Sequence, residues 1–236
     1  MRQEPSCSPG DGDRAPRDGL CNSLSDGLSA TLPLPDNAGQ CSIDVFDCPV
    51  LLTENLVLRA PHVEDIDAIT ILANNPAVAT MVARMPYPYG RSDAETFVRT
   101  SAKRENGNCV YAITEADSGR FLGCCALQCA EDGNATELGY WTGEPFWGQG
   151  IATQAVHAMI GMAFRTRDID HIDARIRVTN PASRRVLQKS GFQFQGAEMV
   201  PVLAVRAAVS MEWCRLDRKT WFSLISWSGE TRSPVA

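Results

Sequence analysis

"ELGYWTGEPFWGQGIATQAV", residues 137–156, decides how this chain reads. An alternating segment ending at Thr142 runs into an aromatic-rich turn, and Gly148 and Gly150 then stand at the entrance of an amphipathic stretch. Glycine costs roughly 0.5–1 kcal/mol relative to alanine inside regular structure, so a pair at a helix entrance needs a reason. The N–H groups of a helix N-terminus are unsatisfied and lie at the positive end of the dipole, where they bind anions and phosphates above all. Thr153 adds a hydroxyl there. On this segment alone two readings stay open: a phosphate cradle, or a tight strand-to-helix connection that uses glycine for conformation only.

Working outward, "CVYAIT" (109–114), "RFLGCCALQ" (120–128) and "ATELGYWT" (135–142) are short strand-like segments. Turn signals at Asp117-Ser118-Gly119 and Asp132-Gly133-Asn134 separate them, which predicts an antiparallel meander. Upstream, "NLVLRAP" (55–61) reads as a strand ended by proline. "VEDIDAITILANN" (63–75) reads as a helix with Ile66, Ile69, Ile71 and Leu72 inward, followed by a "PYPYG" loop at 86–90. Ser92 with Glu95 three residues later predicts a capped helix over 92–104.

Downstream, a helix from about Gln149 to Arg165 carries a stripe of Ala152, Val156, Met159, Ile160 and Ala163. "HIDARIRV" (171–178) alternates as a strand with Ile172, Ala174, Ile176 and Val178 on one face. Asn180 caps a short helix over 181–190 that opens on Pro181 and ends at Gly191. Phe192 opens another strand, and "VSMEWCRL" (209–216) reads as the last one. The order β-α-α-β-β-β-α-β-α-β-β predicts one α/β domain over 50–220: a mixed, mostly antiparallel twisted sheet flanked by helices.

Three phosphate-binding loops compete for the glycines. A P-loop needs Gly-Lys-Ser/Thr, and Gly150 is followed by Ile151 and Ala152. A dinucleotide fingerprint wants a third glycine where Thr153 stands, within a parallel unit. The third option fits. "ELGYWTGEPFWGQGIATQAV" followed by "VTNPASRRVLQKSGF" resembles the GCN5-related N-acetyltransferase (GNAT) superfamily, and more narrowly the RimJ/RimL-like branch that includes acetyltransferases of ribosomal-protein N-termini. The resemblance covers about residues 50–216 and rests on Gly-x-Gly-x-Ala-Thr followed about thirty residues later by Asn-x-x-Ser and Lys-x-Gly-Phe.

The resemblance implies acetyl-CoA as co-substrate, with no metal. It implies a pyrophosphate loop at Trp147, Gly148, Gln149, Gly150, Ile151, Ala152 and Thr153. It also implies that the pantetheine arm pairs with the exposed backbone of the strand carrying Leu138, Gly139, Tyr140 and Trp141, and that Asn180 holds the pantetheine or acetyl end. The family's loop often opens with Arg or Gln, and here that position is Pro145. Many relatives place a general-acid tyrosine four residues before the helix-ending glycine; here Leu187 stands there, and the branch suggests Ser183 instead.

A free α-amine has a pKa of about 7.7–8 and a lysine about 10.4, so an α-amine needs only a weak base or a water relay to react. Glu137 is the acidic candidate for that base, and the Leu138–Tyr140 backbone is a candidate to bind developing negative charge on oxygen. His157 lies beside the apolar stripe and His171 begins a strand far from the loop, so neither is chosen. The acceptor is expected between the first two helices and the loops around "MPYPYG" and "AEMVPVLAVRA", with Tyr87 and Tyr89 lining it. The expected reaction is direct acetyl transfer in a ternary complex to a primary amine, of a protein N-terminus or a small molecule. The alternative is a catalytically silent acyl-CoA-binding module.

Composition adds limits. The net charge of −6 and the apolar share of 44% fit a domain with a core and give no sign of nucleic-acid binding. No run reaches the roughly 18 apolar residues of a membrane span. Nine cysteines without a C-x-x-C pair read as buried thiols in a reducing, cytoplasmic setting. Without a secretion signal, the Asn134-Ala-Thr136 sequon reads as coincidence, and the chain is expected to be a monomer or homodimer. Residues 1–46 read as a disordered leader or as an artefact of an upstream start, and 226–236 as a loose tail.

Overall fold

A computed structural model describes residues 48–103, 107–129 and 136–228. The expected leader, the turn at Asp132-Gly133-Asn134 and the end of the expected tail lie outside the described residues. The meander forms as the turn signals require: β3 (Cys109–Glu115), β4 (Phe121–Cys129) and β5 (Thr136–Thr142) pair antiparallel in sequence. Before them, β1 (Leu51–Leu52) and β2 (Leu56–Arg59) extend the sheet beyond β3. Beyond β5 come β6 (His171–Arg177), then β8 (Ala207–Asp217) and β7 (Gln193–Val202), for the order β1-β2-β3-β4-β5-β6-β8-β7.

Every neighbouring pair is antiparallel except β5 and β6, which run parallel and meet at Glu137 and Asp173. Past that point the two strands part, so the β6-side edge of Leu138–Thr142 has no strand partner among the described residues. A sheet edge in mid-sheet is a row of free backbone donors and acceptors. This gap is the feature from which the site is built.

Helices cover both faces. On one, α1 (Ile66–Ala73), α2 (Pro76–Ala79) and α3 (Arg91–Ser101) bury Ile69, Val78, Ala94 and Val98 against Ala112, Phe121 and Cys124. On the other, α4 (Ile151–Thr166), α5 (Pro181–Lys189) and α6 (Arg218–Ser228) enclose Val156, Met159, Ile160, Leu187 and Trp221 against Leu127, Leu138 and Ile172. Strand alternation distributes β5 between them: Leu138 and Tyr140 pack on the α4 side and Trp141 on the α1 side.

Several local expectations change. Ile71 is 73% exposed, because the buried stripe of α1 runs through Ile66, Ile69 and Ala73. The cap of α3 is not Ser92: the helix starts at Arg91, Asp93 Oδ2 accepts from Gly90 N at 2.8 Å, and Glu95 pairs with Arg91 at 3.0 Å. The stretch "AEMVPVLAVRA" is a strand hairpin rather than a loop, with its turn at 203–206. Helix α6 follows β8 directly and was not anticipated; its Trp221 stacks 5.4 Å from Phe164, and Arg218 donates to the carbonyls of Phe164 and Ile169.

The cysteines are not all thiols. Cys48 and Cys109 form a disulfide across 61 residues, with Cα atoms 6.3 Å apart. The pairing follows from β1 returning along β2, which lays Cys48 near the start of β3; Tyr111 Oη also donates to Pro49 O at 2.9 Å. Spacing along the chain gives no signal for it.

Candidate active site

The first turn of α4 is reached through a 3-10 turn at Glu144–Phe146 and then Trp147, whose indole N–H donates to Thr142 O at 2.9 Å. That bond ties the loop to the end of β5. Gly148 and Gly150 then take φ of +78° and +80°, left-handed values that L side chains rarely adopt. A Cβ at either glycine would meet nothing within 4 Å. The glycines are therefore not relieving a clash inside the protein; they leave bare backbone facing open space. Gly150 is the N-cap of α4 and brings no side chain to the first-turn N–H groups, which leaves these donors available to a ligand. The helix starts at Ile151, two residues later than the pattern suggested, because the left-handed glycines cannot continue it.

This bare loop opens on a cleft of about 1260 Å³ that passes through the gap between β5 and β6. Typical single-ligand pockets hold roughly 300–1,000 Å³, so the space suits two reactants. Of the predicted donor-site residues, Leu138, Gly139, Tyr140, Trp147, Gly148, Gly150, Ile151, Ala152, Thr153 and Asn180 line it. Gln149 does not; its amide folds back to donate to Pro145 O at 3.1 Å. Asn180 caps α5 by accepting from Ser183 N at 3.0 Å, which fixes the serine at the cleft wall.

Among the described residues, two hydrogen-bonded side-chain pairs have both partners in the lining. Tyr140, from β5, places its phenol 2.8 Å from Ser183 Oγ on α5, spanning the gap between strand and helix. Burial pushes that phenol up to about 12, against the opposing pull of the Ser183 hydrogen bond, so it is neutral through the ordinary pH range. Glu137 accepts from Arg175 Nη1 at 2.7 Å, and the same guanidinium also pairs with Glu198. Position 187 holds a leucine buried in the core. Tyr89 is buried and lines the cleft, whereas Tyr87 lies outside the lining and is 37% exposed.

A sequence model of the acetyltransferase (GNAT) domain matches residues 55–193. The chain belongs to the GNAT acetyltransferase family. Acetyl-CoA-dependent acetylation is the reaction of this family. An uncharacterized N-acetyltransferase p20 from Bacillus licheniformis is 26% identical over 149 residues, covering 62% of this chain and 83% of that protein. A solved structure of RimL, the ribosomal L7/L12 alpha-N-protein acetyltransferase in complex with coenzyme A, superposes with a TM-score of 0.61 at 22% identity, over 72% of this chain and 96% of that one. Spermidine N-acetyltransferase from Vibrio cholerae, solved with CoA and spermine, gives a TM-score of 0.61 at 17% identity over 72% and 99%. At these identities the solved structures speak for the fold.

In this GNAT domain, three parts of the cleft lining lie beyond the sequence expectations. Tyr140 was expected through its backbone, yet its hydroxyl reaches Ser183. Arg175 was passed over, although alternation along "HIDARIRV" puts it opposite the apolar face. The apolar wall formed by Met81, Val82, Met85 and Trp141 had no signal short of the tertiary structure.

Proposed function

We propose that this protein transfers the acetyl group of acetyl-CoA directly to a primary amine, with both reactants bound in the cleft. The observation that carries this reading is the pair of left-handed glycines with empty Cβ positions at the start of α4, set beside the gap between β5 and β6. Backbone N–H groups there suit a pyrophosphate, and the free strand edge at Leu138–Thr142 suits the amide-bearing arm that follows it. Acetyl-CoA supplies an activated acetyl thioester and departs as a thiol.

The chain's own groups then divide the work. Glu137, from the β5–β6 junction, takes the proton that the amine loses as its new bond to the acetyl carbon forms. Ser183 donates a proton to the departing sulfur as the carbon–sulfur bond breaks, and Tyr140 holds that hydroxyl in place and passes its own proton to it. Once the products leave, Glu137 releases its proton to solvent and Tyr140 takes one back, which restores both groups. A phenol delivered from β5 thus does what a tyrosine at position 187 would do in other family members. Leu138–Tyr140 backbone N–H groups steady negative charge developing on oxygen.

The test is thiol release from acetyl-CoA against a panel of amines and N-terminal peptides. Amine-dependent turnover is expected. Tight acetyl-CoA binding without turnover on any acceptor would instead favour a silent acyl-CoA-binding module.

A further inference from the structure

The acceptor half of the cleft has its own chemistry. Its wall toward α1, α2 and α3 is apolar: Ile69, Val78, Met81, Val82, Met85 and Phe97 line it, opposite Trp141 on the strand. Tyr89 is set in the same wall, and burial, with Cys124 and Asp93 nearby, pushes its phenol up to about 12. It therefore brings a hydroxyl and no charge.

The charged lining is already committed on its acidic side. Among the described residues, Glu137 and Asp173 are the carboxylates that line the cleft. Glu137 is held by Arg175 at 2.7 Å, and Asp173 takes both Nε and Nη2 of Arg215 at 2.7 and 2.9 Å. Four cationic side chains, Arg84, Arg175, Arg185 and Lys189, line the same cleft.

A single amine reacts in its neutral form, so it needs a proton acceptor and no permanent counter-ion. A polyamine brings further ammonium groups that stay charged, and each needs an uncommitted carboxylate or water to remain stable in a confined site. The apolar wall and the arginine-held acids offer the first arrangement and deny the second.

We infer that the acceptor is a monoamine carried on an apolar body, aromatic or branched, with its nitrogen at Glu137 and its body against the Met81–Met85–Trp141 wall. This rests on the acetyltransferase reading above. The same chemistry has two sources: a free hydrophobic amine, or the first residue of a peptide that begins with a large apolar side chain.

Acetyl-CoA affinity is first measured by calorimetry on the full chain. Thiol release is then followed with 2-phenylethylamine, a Phe-initiated peptide, a Gly-initiated peptide of otherwise equal sequence, and spermidine. Turnover of 2-phenylethylamine identifies a small-amine source, and turnover of the Phe-initiated peptide alone a peptide source. The favoured acceptor is expected to exceed spermidine, and within the peptide pair Phe to exceed Gly, by about 10- to 100-fold in kcat/KM, the range that burial of one large apolar side chain gives. Met81→Lys is expected to raise KM for the apolar acceptor at least about tenfold and leave acetyl-CoA affinity within about twofold, with Met81→Leu restoring KM. Val82→Asp is the second variant should Met81→Lys fold poorly. Preference for spermidine or the Gly-initiated peptide overturns the inference while leaving the acetyltransferase reading intact. Acetyl-CoA binding without turnover on any of the four overturns the inference together with that reading's catalytic part. Absence of acetyl-CoA binding overturns the donor reading itself.

Discussion

The two halves of the cleft are built from different materials. The half we assign to the donor is mostly main chain: two glycines at φ near +80°, the first turn of α4, and a strand edge freed where β5 leaves β6. The half we assign to the acceptor is mostly side chain, an apolar wall from α1, α2, α3 and the turn that follows α2, facing Trp141, Glu137 and Arg175. Backbone geometry constrains which residues can stand at a position, so the donor half leaves a pattern of glycine, asparagine and serine along the sequence. Apolar side chains in a wall can be exchanged for others of similar size, so the acceptor half leaves almost none.

The largest effect expected from breaking this contrast is at Gly150. Gly150→Trp puts a bulky side chain into the open space above the loop and is predicted to weaken acetyl-CoA binding by at least about 100-fold, read by calorimetry. The left-handed φ adds a folding cost of only about 1–2 kcal/mol, so the variant should remain folded, as circular dichroism would show. A variant that binds normally would mean that the bare glycines serve conformation alone.

Next in size is the Tyr140–Ser183 pair, which brings two hydroxyls together between β5 and α5. Ser183→Ala is expected to lower kcat by about 100-fold and Tyr140→Phe by about tenfold, each with little change in acceptor KM. A double variant no slower than Ser183→Ala alone would show that the two hydroxyls act as one unit. Equal or larger loss from Tyr140→Phe would make the phenol the direct donor and the serine its support.

The smallest effect concerns stability and samples both halves. Burial holds Tyr140 and Tyr89 up at about 12, above the ordinary tyrosine value of 10.0. An unfolded chain therefore releases these protons first as pH rises. The stabilisation is complete below pH 10 or so, and is lost as pH climbs toward 12. Alkaline denaturation followed by circular dichroism should show this loss, and Tyr140→Phe and Tyr89→Phe should each make it shallower. Identical alkaline profiles for the wild type and both variants would place the phenols in water rather than in the protein.

What the sequence made legible follows the same division. The meander, α4, β6 and α5 announced themselves through turn residues, period and caps, and Asn180 does cap α5. The donor loop was readable because positive φ leaves glycine as its trace. Element ends were less readable: Ser92 as cap lost to Gly90 with Asp93, since two acidic residues competed for one helix start. Helix α6 was missed because its one deeply buried anchor, Trp221, meets Phe164 only after the chain has folded back. The Cys48–Cys109 link depends on strand pairing between β1, β2 and β3, and the tyrosine–serine contact on the distance across the β5–β6 gap. Neither distance is written in local spacing.

The central claim is that backbone at the start of α4 grips the pyrophosphate of acetyl-CoA. Calorimetric titration of the wild-type protein with acetyl-CoA and with S-acetylpantetheine, which carries the thioester arm without the pyrophosphate, tests it most directly. A dissociation constant for acetyl-CoA between about 1 μM and 1 mM, the common range of enzyme substrates, is predicted, with S-acetylpantetheine weaker by at least about 100-fold. Equal affinity for the two ligands, or no affinity for acetyl-CoA, would contradict it.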